Sequence, residues 1–326
     1  MQNQNDQPPT RVVVVYGESY QIDLGGLENL HPADANRSKH IHDELIKSKC
    51  ITPQQFLKPE MITNENLLLI HTQPYLDSLR DPEKVAIYLE APMVGKFAPK
   101  TIHDKIIIPF RYAAGGTLLA AQEALKHGIA INLGGGTHHA MPDHGEGFCL
   151  FADIPIAIRR LQKENLIKRA TVIDVDVHQG NGTAICLKND DSTYTFSIHQ
   201  RDIYPIPKVK SDLDIELEAG TGDKEIMTIL QNNLPKILDQ SNPDIVFIVA
   251  GADMLVGDPL AGFTMTPEGL ADRDSYIVDT CVSRNLPVVI TIAGGYRKDA
   301  FKAQAESYQR IIKKYGLAQI NNSNDH

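Results

Sequence analysis

The sequence predicts an α/β fold, a parallel sheet covered by helices on both faces, and three observations carry that expectation. Short apolar runs alternate with longer amphipathic stretches along the 326 residues, as strand–helix–strand units do when a parallel sheet buries both its faces. The chemically unusual residues gather where the apolar runs end. No Gly/Ser/Pro-rich linker interrupts residues 11–316, which predicts one domain between polar tails at 1–10 and 317–326.

In chain order, the strand candidates are "RVVVVYG" from Arg11, "LLLIH" from Leu67, "IIIP" from Ile106 and "IAINLGGG" from Ile129. They continue with "TVIDVDV" from Thr171, "TYTFSIH" from Thr193, "DIVFIVAGAD" from Asp244 and "VVITIAGG" from Val288. Each is a short apolar run, most are rich in β-branched residues, and most are bounded by turn formers. Stretches 115–128, 152–165, 225–238 and 299–316 have the spacing of amphipathic helices.

Composition narrows the function classes. A hydrophobic content of 42% with 22% charged residues is that of a globular chain, and a net charge of −9 argues against a general basic surface for nucleic acid. Cys50, Cys149, Cys186 and Cys281 form no CxxC pair, so neither a disulfide framework nor a thiolate zinc knuckle is expected, and a reducing, cytoplasmic setting fits best. The polar start lacks the regions of a secretory signal, and no apolar run approaches the ~20 residues that span a bilayer.

Five run endings carry the polar residues: Gly134 to His139, Asp174 to His178, Ser197 to His199, Gly251 to Asp253 and Gly294 to Tyr296. Open parallel sheets bind ligands beyond the carboxyl ends of their strands, so these endings are expected around one crevice. In "VIDVDVH", strand alternation puts Asp174, Asp176 and His178 on one face and Ile173, Val175 and Val177 on the other. Two carboxylates that close need a cation between them, and an aspartate–histidine set suits Zn²⁺ better than Ca²⁺. Asp253, ending "IVFIVAGA", is the candidate third ligand in preference to Asp258; taken alone it reads as a helix cap.

"INLGGGTHHAMPDHGEGF" turns tightly on three glycines and then presents His138 and His139. Adjacent imidazoles can supply a base and an acid, although metal binding or a plain polar surface would use the same pair. Each ring needs an orienting partner, and Asp174 and Asn181 of "DVDVHQGNG" are natural suppliers. Tyr296 in "TIAGGYRKDA" can donate to an oxyanion or pack on the next helix.

"GGGTHHAMPDHGEGFC", "IDVDVHQGNGT", "SIHQRDIYP", "GADMLVGDPLAGFTMTP" and "AGGY", in this order, resemble the zinc-dependent histone deacetylase superfamily, from about Val12 to Ile312. "GLENLHPADANRSKHI", "HQGNG" and "RDIYP" look closest to class IV, the deacetylase 11-like branch, with a bacterial member the expected source. The resemblance implies an arginase-deacetylase fold, a three-layer α/β/α sandwich around a mainly parallel eight-stranded sheet. It implies that Asp176, His178 and Asp253 bind Zn²⁺, that His138 and His139 are the catalytic pair supported by Asp174 and Asn181, and that Tyr296 polarises the acyl carbonyl. It places K⁺ against the side chains of Asp174 and Ser197 and the carbonyls of Asp176, His178 and Ile198. Phe148, next to Gly147, and Tyr204 match the walls of a substrate tunnel, and Arg37 matches an arginine of an interior channel.

Asn181 departs from class I members, which carry aspartate there; a neutral partner makes His139 easier to keep neutral and so suited to act as base. Asp104 lies where class I members hold the substrate backbone, without a matching motif. The expected activity is hydrolysis of acyl-lysine in proteins or peptides, acetyl or longer fatty acyl, with no membrane span and no direct nucleic-acid binding. A small-molecule acylpolyamine amidase would share the same residues. An arginase-like ureohydrolase would need a two-metal ligand set that "DVDVHQGNG" does not match, and a non-catalytic acyl-lysine reader would not need the intact histidines and tyrosine.

Overall fold

Eight strands join into one sheet: β1 (Arg11–Val15), β2 (Phe56–Leu57), β3 (Gly128–Asn132), β4 (Ala170–Asp174), β5 (Thr193–Gln200), β6 (Leu213–Leu217), β7 (Ile245–Val249) and β8 (Val288–Thr291). A computed structural model describes residues 10–319 of the chain. The spatial order is β2-β1-β3-β8-β7-β4-β5-β6. Every pairing is parallel, where a mainly parallel sheet was expected.

Alternation along the strands sorts two cores. Val12, Val14, Ile129, Ile131 and Ile173 share one core with Ile41 and Leu45 of helix Arg37–Lys47, Leu230 of Asp223–Ser241, Ile277 of Pro267–Val282 and Tyr308 of Ala300–Tyr315. Val13, Val15, Ala130, Val172 and Phe247 pack the other way, with Ala120, Ala121 and Ala124 of helix Ile108–His127 and Ile154, Ala157 and Ile158 of Asp153–Lys163. Side chains of period two thus meet helices on both faces, the three-layer arrangement that an apolar parallel sheet requires.

Two strand candidates are not strands. "LLLIH" lies at the end of the short helix Asn64–Leu67 and in the turn after it, and "IIIP" runs through His103–Ile107 into Ile108–His127. A run of consecutive apolar residues has no period, so it fits one buried helical turn as well as a strand. Two edge strands were missed: β2 is two residues long, and β6, "LDIEL", is polar and only partly buried. Residues 1–9 and 320–326, most of the expected tails, lie outside the described residues. Leu317 and Ala318, assigned to the C-terminal tail by sequence, instead pair with Val12.

The register places the site. Asn132, Thr291, Val249, Asp174 and Ser197 are successive partners across β3, β8, β7, β4 and β5. The polar endings of five adjacent strands therefore leave the sheet from one row.

Candidate active site

β4 ends at Asp174, so the alternation expected over "DVDVH" stops after its first aspartate and the rest is loop. Side chains replace the lost ladder. Asp174 Oδ1 accepts from the Asp176 amide (3.1 Å), Asp176 Oδ1 from the His178 amide (2.9 Å), and Asp253 Oδ1 from the Val177 amide (3.0 Å). Buried amides need partners, and here carboxylates supply them while their other lone pairs face inward.

Asp176, His178 and Asp253 come together, each offering one ligand atom within 4.8 Å of the others. His178 Nδ1 lies 3.2 Å from Asp176 Oδ1 and 3.1 Å from Asp253 Oδ2. Burial by itself would push His178 down, yet hydrogen bonds and charge from the two aspartates raise it to about 10. Burial and then Asp176 push Asp253 up to about 7. Both shifts mark a buried pair of anions that demands positive charge, which a proton on His178 meets only in part. Space is left for it: a Cβ on Gly294 would stand 2.0 Å from Asp253 Oδ2 and 2.5 Å from Asp176 Oδ2. The donor set, one nitrogen and two carboxylates, fits a borderline divalent ion. Asp253 is thus placed with the metal candidates and does not cap a helix.

His138 and His139 follow β3 on a loop held by Asp153, whose carboxylate accepts from the Gly136 and Thr137 amides, both at 2.9 Å. His138 Nδ1 meets Asp174 Oδ2 at 2.8 Å, and His139 Nδ1 meets Asn181 Oδ1 at 2.7 Å. Burial lowers His138, but Asp174 and Asp176 outweigh it and raise the ring to about 9. Burial, His138 and His178 hold His139 well below the ordinary histidine range. Tyr296 stands edge-on to His178 with ring centroids 6.0 Å apart, and its amide donates to Asp258 Oδ2 at 2.8 Å. Burial keeps its hydroxyl well above the ordinary tyrosine range, so it remains a donor. The arrangement brings together a cation cradle, a charged imidazole, a neutral one and a phenol.

His138, His139 and Tyr296 border a cavity of about 360 Å³. Gly147 shapes its wall: a Cβ there would stand 2.6 Å from the His139 ring and 2.9 Å from Tyr204, and its φ is +54°. Phe148 lines the cavity and packs edge-on against His31 at 4.5 Å and Tyr296 at 5.9 Å. Tyr204 packs on His139 at 4.9 Å, beside Gly147, and His31 is a lining residue that the sequence reading did not single out. Inward, the lining includes Tyr20, Leu24, Phe97, Phe110 and Arg37. Arg37 Nη1 donates to the Gly295 carbonyl at 2.9 Å and Nη2 to that of Ala293, bracing the loop that carries Tyr296. Asp104 pairs with Lys100 and His103 on the surface and does not line the cavity. Ser197 and Ile198 lie on β5 beside Asp174, with Ser197 Oγ 2.9 Å from His199 Nδ1.

Known proteins resemble this chain along most of its length. The histone deacetylase domain model matches residues 31–312. The chain belongs to this family. Histone deacetylase 2 of Arabidopsis thaliana is 33% identical over 96% of this chain and 82% of its own length. A probable deacetylase of Methanothermobacter thermautotrophicus is 31% identical over 92% and 90% of the two chains. The crystal structure of the HDA15 HD domain shares the fold, with a TM-score of 0.75 at 22% identity over 92% of this chain and 90% of that one. The family is one of hydrolases, and the all-parallel sheet between helices is its arginase-deacetylase fold. Among the described residues, no helix is long and apolar enough to cross a membrane.

Proposed function

We propose that the chain is a zinc-dependent hydrolase that removes acyl groups, acetyl or longer fatty acyl, from the Nε-amine of lysine in proteins. One observation carries the reading: the buried Asp176–His178–Asp253 set adjoins two histidines of opposite charge preference and a phenol, beside one cavity. The three ligands would hold Zn²⁺, which when bound supplies Lewis acidity toward water and an amide carbonyl. His139, neutral and hydrogen-bonded through Nδ1, accepts a proton from attacking water at Nε2. Tyr296 donates to the carbonyl oxygen as negative charge develops. His138, held charged by Asp174, returns a proton to the leaving amine.

Phe148 and Tyr204 would flank the lysine stem at the entrance beside Gly147 and His139. Leu24, Phe97 and Phe110 give the interior an apolar lining suited to an acyl chain. A K⁺ ion would sit by Asp174, Ser197 and Ile198, which the β4–β5 register makes neighbours. Within the family we place the chain in class IV, as a bacterial member, on the "HQGNG" and "RDIYP" motifs. The four free cysteines fit a cytoplasmic protein.

The test is turnover of acetyl-lysine peptide, myristoyl-lysine peptide and acetylspermidine, before and after a chelator and after Zn²⁺ is returned. Acyl-lysine hydrolysis that is lost and restored is expected. Turnover of acetylspermidine alone would instead make the chain an acylpolyamine amidase. No turnover on any of the three, with metal bound, would leave a reader of acyl-lysine.

A further inference from the structure

We propose that Glu146 is a positioning residue that fixes the amide of Asn181 and, through it, the tautomer in which His139 can take a proton. The inference rests on the reading of His139 as base. Glu146 is set by a tight turn: the Cys149 amide donates to its carbonyl at 2.9 Å, and the two residues between have φ values of +54° and +66°. The turn that aims Phe148 at the cavity therefore also aims the Glu146 side chain away from it. That carboxylate receives the Asn181 amide nitrogen on Oε1 and His144 Nε2 on Oε2 at 3.2 Å.

The argument is one of donors and acceptors. A carboxylate only accepts, so Asn181 must turn its NH₂ toward Glu146. Its Oδ1 then faces His139 Nδ1 at 2.7 Å. An acceptor at that position requires a proton on Nδ1, and a neutral imidazole with its proton there has its lone pair on Nε2. With the amide reversed, NH₂ would face Nδ1, the proton would move to Nε2, and no lone pair would face the cavity. Asn181 is 3% exposed, so water cannot readily take over the task. An aspartate at 181 would present an acceptor in either rotation; an asparagine needs its rotation set, and Glu146 is placed to set it.

The experiment compares Glu146→Leu, Glu146→Gln and the double variant Glu146→Leu with Asn181→Asp in metal-loaded full-length protein. Two quantities are read: kcat and KM on an acyl-lysine peptide, and the ring ¹⁵N shifts of His139, assigned against His139→Ala. Glu146→Leu should lower kcat about 10- to 100-fold with KM nearly unchanged, as weakened general-base catalysis does. Its His139 signal should move from the Nδ1–H tautomer toward the Nε2–H form. Glu146→Gln, whose side-chain oxygen can accept the same NH₂, should keep the wild-type tautomer and most of the rate. The double variant should recover the Nδ1–H tautomer and, on the basic side of the higher pKa that its carboxylate gives His139, most of the rate that Glu146→Leu loses.

An unchanged tautomer in Glu146→Leu overturns the proposal. So does a double variant that fails to return the His139 proton to Nδ1, or a folded Glu146→Gln as impaired as Glu146→Leu. If the wild type turns over no acyl amine, the deacylase reading fails, and the ¹⁵N spectra alone then decide the role of Glu146.

Discussion

His138 and His139 are adjacent in sequence and almost equally buried, at 5% and 3% exposure, yet the fold drives them in opposite directions. The first meets a carboxylate through Nδ1 and is raised to about 9; the second meets an amide through the same atom and is held well below the usual range. Burial lowers both rings; the carboxylates of Asp174 and Asp176 outweigh it at His138, whereas the His138 and His178 rings add to it at His139. A single dipeptide thereby presents a charged imidazole and a neutral one to the same cavity, the division of labour that acid–base chemistry at neutral pH requires.

The largest effect should come from removing the neutral member. His139→Ala is expected to lower kcat/KM by about 10²- to 10⁴-fold while metal content stays near that of the wild type, measured by steady-state kinetics and elemental analysis. Unchanged activity would remove His139 from the chemistry. Next, Asp174→Asn gives His138 the kind of partner that His139 has. Losing the carboxylate lowers the ring's pKa, so its proton leaves at lower pH, and the basic limb of the kcat/KM profile should move to lower pH. The accompanying loss of rate should be about 10- to 100-fold. A basic limb that stays in place would assign it to another group.

How much of this could be read beforehand follows from where each signal lies along the chain. The six strands between the edges were legible because burial on both faces makes them continuous β-branched runs, as in "IVFIV" of β7. The edges were not, since β6 is half polar, although its alternation in "LDIEL" is a strand signal. Asp176 and His178 stood out as charges inside apolar sequence. Asp153, Asp258, Glu146 and His31 did not, because each acts on a partner that only the fold brings near. Asp258 holds the Tyr296 amide across 38 positions and Asp153 the Gly136 amide across 17. Arg273, fully buried, donates to the Val175 and Gly251 carbonyls, fixing both loops that carry the metal-ligand candidates from a helix with no motif. An isolated polar residue has no local pattern to betray such a role.

A third buried histidine supplies the limit of the comparison. His71 has neither acid nor side-chain amide: its Nδ1 donates to the Met141 carbonyl at 3.0 Å, and its Nε2 accepts from the Ala152 amide at 3.0 Å. It thus ties together Met141 and Ala152, the two ends of the segment that follows His139 and carries Phe148. Burial pushes it down to about 4, so the folded protein refuses a proton that the unfolded chain takes below about 6.5. Between those values the unfolded state binds more protons, and stability must rise with pH. The contribution is complete above about 6.5 and falls away as the pH drops toward 4. Between pH 7.5 and pH 5 the wild type should therefore lose about 2 kcal/mol more of its unfolding free energy than His71→Gln, whose side chain has a donor and an acceptor but does not titrate. Denaturant titrations at the two pH values measure the difference. Equal losses in both proteins would move the acid sensitivity elsewhere, with His199, also held down to about 4 by burial, the next residue to replace.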